Sequence, residues 1–186
     1  MGLKACSSIG RASVSKTEGW GFDSSRACHF QEQIMILTSL VFIHNGNIPS
    51  KFTCMGAGKH PHLKWEKVPD GTKSFVLIVD DPDAPGGEKD PFVHWLVYNI
   101  PPTTTELPED AVLPSESGEG INSGNTIGWY PPCPPSGTHR YFFKLYALDI
   151  FLTFNKSPNK AQILEAMEGH MLAKTELIGN FSKSFK

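Results

Sequence analysis

The chain has 186 residues, with 17 Lys and Arg against 19 Asp and Glu, a formal net charge of -2 and 39% hydrophobic residues. That length suits one domain with a sizeable core, and the near-neutral balance offers no surface for a polyanion, so nucleic acid is not an expected partner. No apolar run approaches the roughly 20 residues of a membrane-spanning helix, and no basic patch followed by a long apolar segment opens the chain, so a soluble, cytoplasmic protein is expected.

Residues 1–34 are rich in Ser, Gly and basic residues and show no sustained period of 2 or 3.6, which predicts a disordered extension preceding a domain at 35–186. Within them, SSIGRASVSKTEGWGFDSSRAC resembles a transfer RNA gene read as protein, so the native start is expected at Met35. From Met35 the texture changes to short β-like runs at 36–43, 51–54, 74–80, 92–100 and 139–150, separated by Gly, Pro, Asn and Asp turns. The interval between 74–80 and 92–100 is too short and too rich in proline for a crossover helix, which favours antiparallel pairing. Near the C-terminus, Ser157 as N-cap, Pro158 at the first helical position and a stripe of Ile163, Leu164, Met167 and Met171 predict a helix over about 158–173. Cys6, Cys28, Cys54 and Cys133 form no CxxC pair, so neither a zinc site nor a disulfide framework is signalled, and a reducing compartment is expected.

The stretch VDDPDAPGGEKDPFVHW (79–95) raises the question of function. Either Asp80, Asp81 and Asp83 are turn chemistry and His94 is a hydrogen-bonded core residue, or carboxylates and imidazole converge on one pocket. Strict alternation along 92–100 would group His94 with Phe92, Leu96 and Tyr98, leaving Val93, Trp95 and Val97 on the opposite face of a strand covered on both sides. Along 139–146 it places His139, Tyr141, Phe143 and Leu145 together, with Arg140 and Lys144 on a face expected to be solvated. Neither GxSxG, HExxH, GxxxxGK[ST] nor GxGxxG after a strand occurs.

DDPDAP (80–85), HWLVYNIP (94–101), GWYPPCPPSGTHRYFFKLYALD (128–149) and ELIG (176–179) together resemble the phosphatidylethanolamine-binding protein family, in its bacterial Raf kinase inhibitor-like branch, over roughly residues 35–183. The resemblance implies a mainly β fold, an antiparallel Greek-key β-sandwich with peripheral helices. It also implies a ligand-binding cavity built from Asp81, Asp83, Pro85, His94, Pro134, Pro135, His139 and Tyr141, taking phosphate-type anions or phospholipid head groups without cofactor or metal. A carboxylate from Asp81 or Asp83 would keep His94 or His139 cationic, and a free Asp would receive an ammonium group. Inhibition of a kinase or protease target through the pocket rim is a further implied role, and the oligomeric state, a homodimer included, stays open. The alternative is a hydrolase or metal-dependent enzyme using Asp81, Asp83, His94 and His139, with Cys133 as the one candidate nucleophile or else an apolar filler. Two departures from the family pattern concern the ligand: Pro131-Pro132 stands where Gly-Gly or Gly-Pro is common, removing an amide donor, and His60-Pro61-His62 replaces a Ser-Pro-Pro-like run.

Residues 1–34 lack the apolar periodicity that would repay backbone ordering at about 1–2 kcal/mol per residue. A chain beginning at Met35 is therefore expected to melt within a few degrees of the full chain, and a large drop in its midpoint would show that the extension packs.

Overall fold

Strand β4 (Ser74–Asp81) is buried at all eight positions, as an almost unbroken apolar run requires when both faces of a strand are covered. It is flanked on one side by β5 (Phe92–Ile100) and on the other by β8 (Thr138–Leu148), both antiparallel to it. The sheet extends beyond β8 to β9 (Met171–Ser182) and then β2 (Gly46–Asn47), and beyond β5 to β7 (Gly118–Glu119), giving the order β2-β9-β8-β4-β5-β7. A second sheet joins β1 (Ile36–Thr38), β3 (Leu63–Glu66) and β6 (Glu106–Leu107). This computed structural model describes residues 34–183; apart from Ile34, the extension expected at 1–34 lies outside the described residues.

Leu37, Leu63, Trp65 and Leu107 of the smaller sheet pack on Phe75, Leu77, Val79, Tyr141 and Phe143 of the larger one, forming the main core between the layers. The outer face of the larger sheet buries Val76, Ile78, Leu96 and Leu148 beneath helix α1 (Lys160–Ala166), which contributes Ile163, with Met167 just beyond its end. The expected mainly β sandwich with one helix near the C-terminus is therefore the observed fold. One strand pair departs from antiparallel pairing, since β2 runs parallel to β9.

Several element boundaries differ from expectation. Of 36–43 only Ile36–Thr38 is strand, and the run at 51–54 is largely a 3-10 turn, Ser50–Phe52. The helix is seven residues long, capped by Asn159 rather than Ser157, with the Asn159 side chain accepting from Gln162 N–H and the Gln162 side chain accepting in return. It ends before Gly169, whose φ of +79° reverses the chain, and Met171 begins β9 instead of closing the apolar stripe. The long ladder that β9 makes with β8 outweighs the helical propensity of MLAK, a tertiary override of a weak local preference. Gly179 is needed within β9 because a Cβ there would stand 2.5 Å from Ile48 Cγ1 and 2.9 Å from Phe42 Cε2.

The pleat of β4 sends its last two carboxylates to opposite faces. Asp80, fully buried, accepts from Lys144 Nζ at 2.8 and 3.0 Å and from Lys160 Nζ at 2.5 Å, tying α1 to the sheet. Lys144, expected on a solvated face, is thus a partner for a buried charge. Asp80→Ala should destabilise the protein by roughly 3–5 kcal/mol in urea unfolding, since it strands two ammonium groups beside an apolar layer; a cost under about 1 kcal/mol would mark the pair as a solvated surface contact.

Candidate functional site

The site begins with an irregularity in β5. Val79 of β4 pairs with Trp95, but Asp80 pairs with Val93, so His94 has no counterpart across the ladder and forms a β-bulge. The extra residue breaks the expected alternation. Trp95 and Val97 lie in the core between the sheets, Val93 lies with Leu96 on the outer face, and His94 turns inward, its ring 5.1 Å from that of Tyr141 and 4.9 Å from that of Phe92. The bulge thereby brings a histidine of β5 to the same side as Asp81, His139 and Tyr141.

A cavity of about 300 Å³ opens at this end of the sheet. Asp81, His94, His139 and Tyr141 line it with Pro85, Pro134 and Pro135, seven of the eight residues expected there. Ala84, Phe92, Tyr130 and Cys133 complete the lining and were not among the expected ligand-binding residues; the apolar Phe92 beside His94 was the signal available for one of them. Asp83 is the exception and is not part of the lining. Its carboxylate accepts from Arg140 Nε and backbone N–H at 2.9 and 2.8 Å and from the Arg140 terminal nitrogen at 2.7 Å, and these bonds hold its pKa below the usual carboxylate value. Arg140, expected to be solvated, is the partner that takes Asp83 away.

Asp81 serves both roles that the sequence set against each other. One carboxylate oxygen accepts from Asp83 N–H at 2.8 Å, an Asx turn that shapes the DPDAP loop, and the other accepts from His139 Nδ1 at 2.7 Å. His139 Nδ1–H is thereby fixed, and Nε2 is the nitrogen left for a ligand. His94 donates Nδ1–H to the Tyr130 carbonyl at 2.7 Å, and Tyr130 N–H donates back to the His94 carbonyl. Burial lowers the His94 pKa, and the bond to Tyr130 and the charges of Asp81 and Asp80 do not offset it. A carboxylate therefore does not keep His94 cationic, contrary to expectation; desolvation wins, and the neutral ring presents Nε2 as an acceptor.

Tyr141 is the third polar group. Its hydroxyl is fully enclosed and has no hydrogen-bond partner among the described residues, and burial, followed by Asp81 and Asp83, raises its pKa so that it remains a neutral donor. Among the described residues no free carboxylate faces the cavity for an ammonium group, because both Asp81 oxygens are engaged and Asp83 is held by Arg140. Among the described residues no group of three or more His, Cys, Asp or Glu side chains could hold a metal ion, so the proposed ligand set of Asp81, Asp83, His94 and His139 is not assembled.

Cys133 corrects the reading of the cysteines: it is bonded to Cys54, 79 residues away, so it is neither a free nucleophile nor a simple apolar filler. Spacing along the chain carried no sign of this pairing, because the fold brings the two segments together, Cys54 N–H donating to the Pro132 carbonyl. The inference of a reducing compartment loses its basis with it.

The neutral state of His94 has a consequence for stability. The unfolded chain takes up a proton near the ordinary value of 6.5 that the buried ring resists, so this contribution is complete above about 6.5 and is lost as pH falls below it towards the depressed native pKa. In urea titrations the stability advantage of wild type over His94→Gln should narrow between about pH 7.5 and 5.5. A gap that widens on acidification would mean that the ring is stabilised as a cation.

Comparison with known proteins agrees with this architecture. The family model described as phosphatidylethanolamine-binding protein matches residues 38–182. A UPF0098 protein of Methanothermobacter thermautotrophicus is 46% identical over 153 residues, covering 80% of this chain and 99% of the relative. A UPF0098 protein of Chlamydia trachomatis is 43% identical over 151 residues, with 80% and 99% covered. Among solved structures, a phosphatidylethanolamine-binding protein homologue from Chlamydia trachomatis superposes with a TM-score of 0.77 at 43% identity, covering 82% of this chain and 99% of that one. YbcL of Escherichia coli gives 0.74 at 31% identity, with 81% and 99% covered. The chain belongs to the phosphatidylethanolamine-binding protein family.

Proposed function

We propose that this protein binds a small phosphate-type anion in the cavity of Asp81, His94, His139 and Tyr141. The buried Tyr141 hydroxyl carries the reading, because an enclosed donor without a partner is costly unless something supplies an acceptor. Beside it stand two imidazoles, each with one nitrogen fixed by a protein acceptor and the other without a hydrogen-bond partner among the described residues. The names of the structural relatives point to the same ligand class. Enclosure by Pro85, Pro134 and Pro135 provides a preformed site at low ordering cost.

Among the described residues no Lys or Arg lines the cavity, so charge must be matched with protons. His139, with Nδ1–H held by Asp81, meets the ligand through Nε2, while neutral His94 accepts from a P–OH group through its own Nε2. Affinity for inorganic phosphate should therefore rise as pH falls from about 8 to about 6, where phosphate gains a proton. The lack of a free carboxylate predicts that phosphoethanolamine binds no more tightly than phosphate. This reading is of a binding protein: the residue considered as a nucleophile is tied in a disulfide. The role of kinase or protease inhibitor rests on the family resemblance.

The test is an NMR titration with inorganic phosphate and phosphoethanolamine. Tyr141→Phe, His139→Ala and His94→Ala should each weaken binding about tenfold or more, the worth of one hydrogen bond to a charged group at about 1.5–3 kcal/mol. Asp83→Asn should stay within about threefold of wild type, since Asp83 faces Arg140. Absence of a saturable site in wild type, or equal binding by the three cavity variants, would overturn the assignment.

A further inference from the structure

Cys54 and Cys133 are both solvent-exposed, and their bond ends inside the candidate site, where Cys133 and the two prolines after it form one wall of the cavity. That wall has little backbone support of its own. Pro131, Pro132, Pro134 and Pro135 have no N–H to donate, and among the described residues the backbone hydrogen bond from Cys54 N–H to the Pro132 carbonyl is the only one that reaches residues 131–137. The segment across the disulfide is firmly seated. Phe52 and Thr53 are buried, and the Thr53 hydroxyl donates to the Ser50 carbonyl at 2.8 Å while accepting from Met55 N–H.

We propose that the Cys54–Cys133 bond is a thiol-exchange site whose reduction loosens the 131–135 wall and weakens the anion site. The inference rests on the anion-binding reading given above. A small-molecule or protein thiolate attacks one of the two sulfurs, forming a mixed disulfide and releasing the other cysteine as thiolate. A second thiolate then attacks the external sulfur of that mixed disulfide, forming the external disulfide and releasing the remaining cysteine as thiolate. In balance, two external thiols are oxidised to one disulfide and the protein disulfide is reduced to two thiols, with no other reactant. Exposure of both cysteine residues meets the access requirement for that attack. Losing the clasp frees Pro134 and Pro135 to move away from His139 and Tyr141, so ordering that was built in must be supplied at binding.

The experiment compares inorganic phosphate binding by the oxidised full chain, the same chain reduced with dithiothreitol, and Cys54→Ala/Cys133→Ala, with amide spectra recorded at each stage to establish folding. Thiol quantification before and after reduction reports the state of this bond, read by mass mapping of the 54 and 133 peptides. The expectation is that the folded oxidised protein is converted by dithiothreitol, and that both the reduced protein and the double variant bind phosphate about fivefold or more weakly while keeping dispersed spectra. Reoxidation of the reduced wild type should restore affinity, which the variant cannot do. Equal affinity in the oxidised and reduced folded states would overturn the inference and leave the anion site standing. Resistance of the bond to dithiothreitol in folded protein, or free thiols at both positions in aerated protein, would also overturn it. Absence of saturable phosphate binding in the oxidised chain would remove the anion site and this inference together. If the double variant unfolds, the reduced and reoxidised wild type decide alone, and unfolding of that reduced protein would refute a local clasp in favour of a global staple.

Discussion

Two successive carboxylates end a strand that is buried along its whole length, and neither can remain charged in that setting without partners. Much of the organisation around the site follows from how they are satisfied. Asp80 faces outward and draws Lys144 from β8 and Lys160 from α1 onto one buried point, which seats the helix. Asp81 faces inward, folds the DPDAP loop back through Asp83 N–H and fixes the tautomer of His139. One strand end thus anchors the outer layer and orients the polar wall of the cavity, and the same desolvation cost drives both arrangements.

The sequence made the central strands legible because their signals are local. Ser74–Asp81 and Phe92–Ile100 lie within a residue of where hydrophobic runs and turn residues placed them, and the parity of His139 and Tyr141 survives unchanged. Strand β9 was missed although Leu177, Gly179 and Phe181 alternate as buried positions, because MLAK reads as helix until β8 is known to need a partner. The bulge at His94 was equally invisible. Period-2 reasoning assumes an unbroken pleat, and here it put Trp95 opposite His94 when both turn inward.

At the site, legibility ended where long-range pairing began. Seven of the eight residues expected from residue types and motif order line the cavity, but these signals could not show that Asp83 is taken by Arg140, its partner on the far side of a 57-residue separation. Nor could composition show which way His94 titrates. An acidic neighbourhood suggested a cation, whereas the enclosure by Phe92, Trp129, Tyr130 and Tyr141 outweighs those acids.

These corrections change what the cavity can select. With Asp83 withdrawn and both Asp81 oxygens occupied, the polar wall offers one phenolic donor and two imidazole nitrogens, opposite a rim of prolines and aromatic rings. Under the proposed anion-binding reading, such a wall would meet oxygens that share protons with it, with no Lys or Arg of the described residues in its lining, so the ligand's protonation state would become part of recognition. The prolines that deprive the rim of amide donors also stiffen it, and the disulfide at Cys133 completes that stiffening across the chain. Under that proposed reading, selectivity and rim rigidity would have a common origin in the PPCPP segment: the residues that remove hydrogen-bond donors from the loop would leave recognition to Tyr141, His94 and His139, and would hold the cavity in the shape those three require.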